Sequence, residues 1–243
     1  MRRNLERVHP TRDGAWLDAA VGRVFRNFAL CFADLLSLNR EPVTGILRHV
    51  AIQGEEHARG AIARGRGCVF VTAHIGNWEL AGRLLAALGA RVHVVMAPEQ
   101  DPAVAALLHD AGSDGVRLVR RESPLISIEL VAALRRREVV AFQMDRAAGE
   151  RADCRIPFFK TPAPFPLGPF LLAAAVGAPV VPAFCVLDGR GNYRLSVEPP
   201  IEVGRGREIE GLRWAVSVLE RYVAGHSDQW FNFFDVWDEP AGA

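Results

Sequence analysis

Short apolar segments alternate with helix-like segments through the middle of the 243-residue chain, and this alternation restricts the fold more than any other feature. The apolar segments are Cys68–Ala73, Val92–Met96, Val116–Val119, Val139–Gln143 and Val180–Val186. Strands that are apolar on both faces are typical of a sheet covered on both sides, as in parallel α/β proteins. The sequence therefore predicts a mostly parallel central sheet with helices on both faces.

The composition is that of a chain with a large core, since 50% of the residues are hydrophobic and 23% are charged. We expect residues 1–243 to form a single domain, with a helical N-terminal part over 1–50 and an α/β core over 51–243. Apolar residues recur at spacings of three and four between Trp16 and Leu35, which predicts an amphipathic helix. A further helix is predicted over residues 102–111.

Several classes of protein are disfavoured by charge and by cysteine spacing. A formal net charge of +1 argues against a nucleic-acid-binding protein with a basic surface field. The four cysteines are far apart and form no C-x-x-C motif, which disfavours a disulfide framework and a zinc site. No set of His and acidic residues recurs at metal-ligand spacing. We therefore expect no metal.

The charge-free segment Thr161–Leu187 contains six prolines, which are incompatible with a continuous membrane-spanning helix. It predicts a Pro-rich loop, a short helix that ends at Gly177, and a strand. The start of the chain has no apolar region of the kind found in signal peptides. We therefore expect no transmembrane helix in this chain.

The clearest candidate for chemistry is His74, which follows the apolar segment Cys68–Ala73 at the edge where open α/β sheets place their sites. Glu79 follows five residues later, and a turn at His74 would let its carboxylate reach the imidazole. Such a carboxylate holds the imidazole tautomer and stabilises the imidazolium. Without a Gly-x-Ser-x-Gly elbow or a suitable Cys, the imidazole would activate a substrate hydroxyl. The alternative is a helix cap at His74 and an ordinary first-turn acid at Glu79.

Three segments occur in a recognisable order. They are Ala73–Leu80 (AHIGNWEL), Glu138–Arg146 (EVVAFQMDR), and residues 156–182, which begin IPFF and end GAPVVP. Together they resemble the late acyltransferases of lipid A biosynthesis, the lauroyl and myristoyl transferases. This family belongs to the glycerolipid acyltransferase superfamily with its His-x4-(Asp/Glu) motif. The order and spacing match from about Arg23 to Trp237.

The resemblance implies a glycerolipid-acyltransferase-like fold and an O-acyltransferase. The fatty acyl chain would move from an acyl carrier protein or coenzyme A thioester to a hydroxyl of a membrane glycolipid or lysolipid, such as a lipid A precursor. His74 would be the general base, assisted by Glu79, and no cofactor would be needed. The resemblance also implies peripheral contact at the cytoplasmic face of the inner membrane. An acyl-thioester hydrolase and a non-catalytic lipid-binding protein of the same fold stay open as alternatives.

Five more residues are candidate substrate-binding residues: Asn77, Arg120, Arg121, Asp145 and Arg146. Asp145 ends an apolar segment at the same predicted sheet edge as His74, although a turn cap is an equal alternative. The arginines could hold a phosphate of the donor or the acceptor through paired hydrogen bonds, or could simply be solvated. Asn77 could contact substrate or brace the turn.

The chain departs from the family pattern at a few positions. Lys160 stands where the family has Gly after the two phenylalanines, and the ending QWFNF over 229–233 only partly matches the family's Q-W-x-W. The usual N-terminal anchor has no counterpart here. We therefore expect membrane contact through the helix around Trp16, Phe25 and Phe28, with Arg23 and Arg26 nearby; the alternative is that most of this apolar face packs on the sheet. We also expect residues 165–184 to line an acyl tunnel.

Overall fold

The computed structural model describes residues 1–38, 41–97, 115–147, 149, 153–188 and 192–238, and the helix predicted over 102–111 lies outside them. The helices are α1 (Arg2–Val8), α2 (Gly14–Leu38), α3 (Val43–Ile46), α4 (Glu55–Ala63), α5 (Trp78–Ala87), α6 (Ile126–Arg135), α7 (Gly168–Val176), α8 (Glu208–Gly225) and a 3₁₀ turn (Ser227–Gln229). The strands are β1 (Val50–Gln53), β2 (Cys68–Thr72), β3 (Val92–Met96), β4 (Val116–Arg120), β5 (Val139–Gln143), β6 (Asp153–Phe158), β7 (Thr161–Pro166), β8 (Pro179–Leu187), β9 (Tyr193–Val197) and β10 (Ile201–Glu202).

The central sheet has the strand order β1-β9-β8-β2-β5-β3-β4, with β10 paired to β8. The strands from β8 to β4 are all parallel. Strand β9 is antiparallel to β8, and β1 is parallel to β9. The predicted mixed α/β fold with a largely parallel sheet is therefore confirmed.

Both faces of the sheet are covered, which explains why the strands are apolar throughout. Val69 and Val71 of β2 point into a core that α6, α7 and α8 complete, here called the α6–α8 face. Cys68 and Phe70 point the other way, into a core formed with α2, α4 and α5, here called the α2–α5 face. Successive strand residues point to opposite sides, so each strand contributes to both cores.

The Pro-rich segment forms a strand rather than the predicted loop. β7 pairs with β6 in a separate antiparallel hairpin. Pro162, Pro164 and Pro166 occupy every second position, so their missing N–H groups all fall on one edge of the ribbon. Phe159 and Lys160 make the two-residue turn with φ of 47° and 66°. Left-handed backbone at both positions is typical of a type I′ turn, which favours Gly, and this fits the Gly that the resembled pattern has where this chain has Lys160.

Residues 230–238, here called the C-terminal segment, are held in place by α1, which lies within the N-terminal part predicted to be helical. The fully buried Asn4 donates hydrogen bonds from Nδ2 to the carbonyl oxygens of Asn232 at 2.9 Å and Phe234 at 2.8 Å. Its Oδ1 accepts from the backbone N–H of Val236 at 3.3 Å. The two ends of the described chain therefore meet beside the sheet.

Helix α2 contributes the buried residues Leu17, Ala20 and Val24 to the core of the α2–α5 face. Phe25, in contrast, is 54% exposed. No helix among the described residues is both long and apolar enough to cross a bilayer.

Candidate active site

His74 and Asp145 lie side by side at the carboxyl edge of the sheet. β2 and β5 are parallel neighbours with Thr72 opposite Gln143, so the residues two positions further along each chain also meet. The Nδ1 atom of His74 is 2.8 Å from Oδ1 of Asp145. The backbone N–H of His74 donates to Oδ2 of the same carboxylate at 3.0 Å. The strand register thus brings together an imidazole and a carboxylate that are 71 positions apart.

The carboxylate of Asp145 is fully buried and is surrounded by donors. Oδ2 also accepts from Trp230 Nε1 at 2.9 Å and from Asn232 Nδ2 at 2.7 Å. Burial by itself would raise the pKa of Asp145, but the charge and hydrogen bond of His74, the charge of Arg146 and the Trp230 hydrogen bond outweigh it and lower the pKa to about 2. Asp145 is therefore an anion at neutral pH, placed to stabilise an imidazolium.

The turn that carries His74 is fixed from two sides. The N–H of Asn77 donates to the carbonyl oxygen of Cys185 in β8 at 2.8 Å, and the N–H of Phe231 donates to the carbonyl oxygen of His74 at 2.7 Å. Gly76 has φ of 57°, and a Cβ there would collide with the carbonyl oxygen of Cys185. The side chain of His74 is 12% exposed, and its Nε2 has no hydrogen-bond partner in the described part of the chain. Nε2 is thus available to a substrate.

A cavity of about 690 Å³ opens beside His74 on the α2–α5 face. It crosses five strands, and β8, β2, β5, β3 and β4 each contribute at least one residue to its wall, among them Ala183, Phe70, Ala141, Val94 and Leu118. Helices α2 and α5 cover it with mostly apolar residues, among them Phe28, Leu35, Trp78 and Leu85. The charged and polar residues on its wall are Thr72, His74, Asn77, Glu79, Arg83, Gln143 and Arg146. An apolar cavity with a few polar groups near one end is typical of a binding site for a mostly apolar ligand.

Residues 165–184, which we expected to line an acyl tunnel, contribute almost no side chain to this cavity. Phe165, Phe170 and Ala174 belong to the core of the α6–α8 face, and only Ala183 lines the cavity. The reason is the connection between β7 and β8, which carries α7 to the side of the sheet opposite to α5.

Glu79 shares the cavity with His74 but does not bond to it. Helix α5 begins at Trp78, with Asn77 as its N-cap, and this places Glu79 in the first turn. Within the described residues, Glu79 forms no hydrogen bond or ion pair with His74, and Asp145 occupies the Nδ1 side of the imidazole. Burial raises the pKa of Glu79 to about 7. The sequence-based pairing of Glu79 with His74 is thus replaced by a pairing with Asp145.

We expect the raised pKa of Glu79 to make folding stability depend on pH. Between its ordinary pKa of 4.5 and about 7, the folded chain binds more protons at Glu79 than the unfolded chain does. The free energy of unfolding therefore falls as pH rises through this window and then levels off. Glu79→Gln removes this contribution. Denaturant unfolding at pH 5, 6, 7 and 8 should show the free energy of unfolding of the variant rising relative to that of the wild type as pH rises. The same pH dependence in both proteins would contradict a raised pKa at Glu79.

Two of the other predicted site residues, Asn77 and Arg146, line the cavity. The amide of Asn77 also serves the fold, because Oδ1 accepts from the N–H of Leu80 at 3.3 Å and Nδ2 donates to the carbonyl oxygen of Cys31 at 3.3 Å. Arg146 donates from Nε to Asn232 Oδ1 at 2.8 Å and from Nη2 to the carbonyl oxygen of Phe231 at 3.0 Å.

Arg120 and Arg121 are not brought to His74. Both are exposed at the end of β4, which lies three strand intervals, roughly 14 Å, from β2. Neither lines the cavity. The side chain of Arg121 forms an ion pair with Glu122, with Nε 3.8 Å from Oε1.

Trp230 and Asn232 were missed as site residues in the sequence. The only signal was the partial match of residues 229–233 to the family ending, which gave no role to either side chain. Among the described residues, no group of three or more His, Cys, Asp or Glu side chains is placed to hold a metal ion. A reaction without a cofactor stays a prediction.

A parallel α/β fold with a buried imidazole–carboxylate pair beside an apolar cavity has the parts needed to activate a nucleophile next to an apolar chain. The family model described as bacterial lipid A biosynthesis acyltransferase matches residues 1–238. The chain belongs to this family and is an enzyme of the acyltransferase class.

Relatives and a solved structure are similar over nearly the whole chain. Phosphatidylinositol mannoside acyltransferase of Mycobacterium tuberculosis, from strains CDC 1551 / Oshkosh and ATCC 25618 / H37Rv, is 25% identical over 244 residues, covering 98% of this chain and 76% of the relative. The crystal structure of PlsC, the 1-acyl-sn-glycerophosphate (LPA) acyltransferase from Thermotoga maritima, has a TM-score of 0.41 and 15% identity. That match covers 95% of this chain and 88% of PlsC.

Proposed function

We propose that this protein transfers a fatty acyl chain from a thioester, carried by acyl carrier protein or coenzyme A, to a hydroxyl of a membrane glycolipid or lysolipid. The observation that carries the proposal is the His74–Asp145 pair, whose free Nε2 stands beside an apolar cavity. The family name and the phosphatidylinositol mannoside relatives support a glycolipid acceptor with free hydroxyls.

In the proposed reaction, Nε2 of His74 takes the proton of the acceptor hydroxyl as its oxygen attacks the thioester carbonyl carbon. The tetrahedral oxyanion then collapses, the carbon–sulfur bond breaks, and the imidazolium returns the proton to the departing thiolate. Asp145 holds Nδ1 protonated and stabilises the imidazolium between these steps. The sulfur leaves as a free thiol and the acyl group is left as an ester.

Arg146 is the candidate for stabilising the oxyanion. It lines the cavity, and Nε and Nη2 are held by Asn232 and Phe231. In the described part of the chain Nη1 has no hydrogen bond, so it can donate to the developing negative charge. A fixed cation in a site shielded from water stabilises that charge more strongly than it would in solvent.

The acyl chain is proposed to lie across the strands, from His74 toward β4. Five strands at a spacing of about 4.8 Å give the cavity a length of roughly 19 Å. Each methylene buried there contributes about 0.8 kcal/mol, so the cavity length can select chain length.

We expect Gly82→Leu to shorten the acyl chain that the enzyme prefers. Gly82 lies in α5 on the cavity wall, and a Cβ there would meet only Val94 Cγ2, at 3.6 Å. A leucine side chain would therefore occupy the route between α5 and β3. Each methylene that it excludes should lower kcat/KM by about fourfold for donors long enough to reach it. Competition between donors of graded length, read by mass spectrometry, measures the profile.

Gly82→Ala is the matched control, since it should raise helix stability by about 1 kcal/mol and leave the profile close to wild type. An unchanged chain-length profile in folded Gly82→Leu would contradict the proposal that this cavity holds the acyl chain.

Peripheral membrane contact is proposed for an aromatic rim formed by Phe25, Phe233 and Phe234 at the cavity mouth. All three are exposed, Phe25 stacks on Phe233 with ring centroids 5.5 Å apart, and Phe233 lines the cavity. Apolar rings inserted into a bilayer would place the cavity opening at the lipid surface. The cytoplasmic face of the inner membrane is the proposed location, since acyl carrier protein and coenzyme A are found there.

We expect Phe25→Ser to weaken binding to vesicles that contain anionic lipid by about tenfold or more, because a buried Phe side chain contributes about 1.5–3 kcal/mol. Flotation at low salt measures the bound fraction. Ile128→Ser is the matched control: Ile128 is 69% exposed, but it lies on α6, away from the rim. Wild-type protein that stays entirely in the soluble fraction would contradict peripheral binding.

The proposed function is tested by incubating the purified protein with acyl-coenzyme A or acylated carrier protein and a panel of acceptors. The panel would contain a lipid A precursor, a phosphatidylinositol mannoside and a lysophospholipid, with products read by mass spectrometry. Acyl transfer to a hydroxyl supports the proposal. Release of free fatty acid at the same rate with and without acceptor would favour a thioester hydrolase.

A further inference from the structure

The side chain of Asn232 stands between the carboxylate and the guanidinium of the proposed site. Its Nδ2 donates to Oδ2 of Asp145 at 2.7 Å, and its Oδ1 accepts from Nε of Arg146 at 2.8 Å. Asn232 is fully buried, and Asn4 fixes its backbone by donating to its carbonyl oxygen. Both ends of one amide are therefore used, one toward each charged group.

Asp145 and Arg146 are consecutive in the chain and opposite in charge, yet among the ion pairs of the described residues there is none between the two side chains. Arg146 is close enough for its charge to lower the pKa of Asp145. A carboxylate and a guanidinium with little water between them ordinarily form a short paired contact. If that contact formed here, the guanidinium would leave the cavity and the carboxylate would be shared between Arg146 and His74.

We propose that Asn232 is a positioning residue that keeps Asp145 and Arg146 apart, so that the carboxylate serves His74 and the guanidinium serves the substrate. The catalytic part of this inference rests on the proposed acyltransferase function. The structural part concerns the free enzyme and does not depend on the substrate.

An amide is suited to this place because it is neutral and offers a donor and an acceptor. A carboxylate at position 232 would still accept from Arg146 but would repel Asp145. An apolar side chain would satisfy neither group, and a buried donor or acceptor without a partner is costly. The shortest way for both groups to recover a partner would be to pair with each other.

The test uses Asn232→Leu, the double variant Asn232→Leu/Arg146→Met, and Gln229→Met as a matched control. Gln229 is a buried amide only three residues earlier, and it bonds to the backbone of Leu187 instead of the charged pair. The first readout is the downfield proton NMR resonance of His74 Nδ1–H in the free enzyme, assigned by its loss in His74→Ala. The second readout is kcat and KM for the acyl donor.

We expect Asn232→Leu to shift or abolish the resonance, because Arg146 draws the carboxylate away from His74. The double variant should restore it, since no guanidinium is left to compete, and Gln229→Met should keep it. Where transfer activity is present, kcat of Asn232→Leu should fall about 10- to 100-fold with a smaller change in KM, since hydrogen bonds to charged groups are being lost.

A wild-type resonance in folded Asn232→Leu would overturn the inference, and so would failure of the double variant to restore it. If the leucine variant does not fold, Asn232→Ala removes the same two hydrogen bonds and is scored in the same way. The NMR result is obtained without substrate, so it can be read even if wild-type protein shows no acyl transfer. Failure of the proposed function and failure of this inference are thereby distinguished.

Discussion

We expect His74→Ala to lower the rate of acyl transfer by about 10²–10⁴-fold, the usual contribution of a positioned general base. A hydroxyl is a poor nucleophile at neutral pH, and Nε2 of His74 is the basic atom left free beside the cavity. Initial rates with an acyl thioester and the best acceptor of the panel measure the effect. The loss should appear in kcat at saturating donor.

The control for this variant is a measurement of its folding. Circular dichroism and thermal unfolding should show intact secondary structure, because the cavity and the two cores do not depend on the imidazole for their packing. Transfer close to the wild-type rate in folded His74→Ala would contradict the mechanism.

We expect Asp145→Asn to cause a comparable loss, of about 10²–10⁴-fold, because the isosteric amide cannot stabilise the imidazolium and can hold the wrong tautomer of His74. Glu79→Gln should cost less than about tenfold, since within the described residues Glu79 forms no hydrogen bond or ion pair with His74, and its pKa of about 7 already leaves roughly half of the side chains neutral at pH 7. Parallel rate measurements on the two variants separate the two carboxyl groups.

Stability must be measured alongside these rates, because Asp145 accepts from the His74 backbone, Trp230 and Asn232. Where the NH₂ of the substituted amide faces one of these donors, that donor loses its acceptor, at a cost of about 1–3 kcal/mol in the free energy of unfolding. Rates are therefore compared well below the melting temperature of the variant. A larger loss of transfer rate in Glu79→Gln than in Asp145→Asn would indicate that Glu79, and not Asp145, orients His74.

The elements of the sheet could be predicted from local sequence because each strand is buried on both faces. The segments Val92–Met96 and Val139–Gln143 were predicted at their observed bounds. His74 was found for the same reason, since a buried strand ends directly before it. Local pattern was sufficient wherever a residue's role depends on its place along one strand.

The partner of His74 could not be found in this way. Asp145 meets it only because β5 is the neighbour of β2, and strand order is set by tertiary packing rather than by proximity along the chain. Glu79 was favoured because it is close in sequence. The position of the cavity was missed for a similar reason, since hydropathy does not tell on which side of a sheet α7 will pack.

The contacts of the C-terminal segment bear on the order in which the molecule can be completed during synthesis. The carboxylate of Asp145 accepts from Trp230 and Asn232, and the backbone of Asn232 is in turn held by Asn4, 228 positions earlier in the chain. A nascent chain released only as far as β9 contains every strand from β1 to β9 but lacks two of the donors of the buried carboxylate. The site of this enzyme can therefore be completed only after residues 230 and 232 have been synthesised.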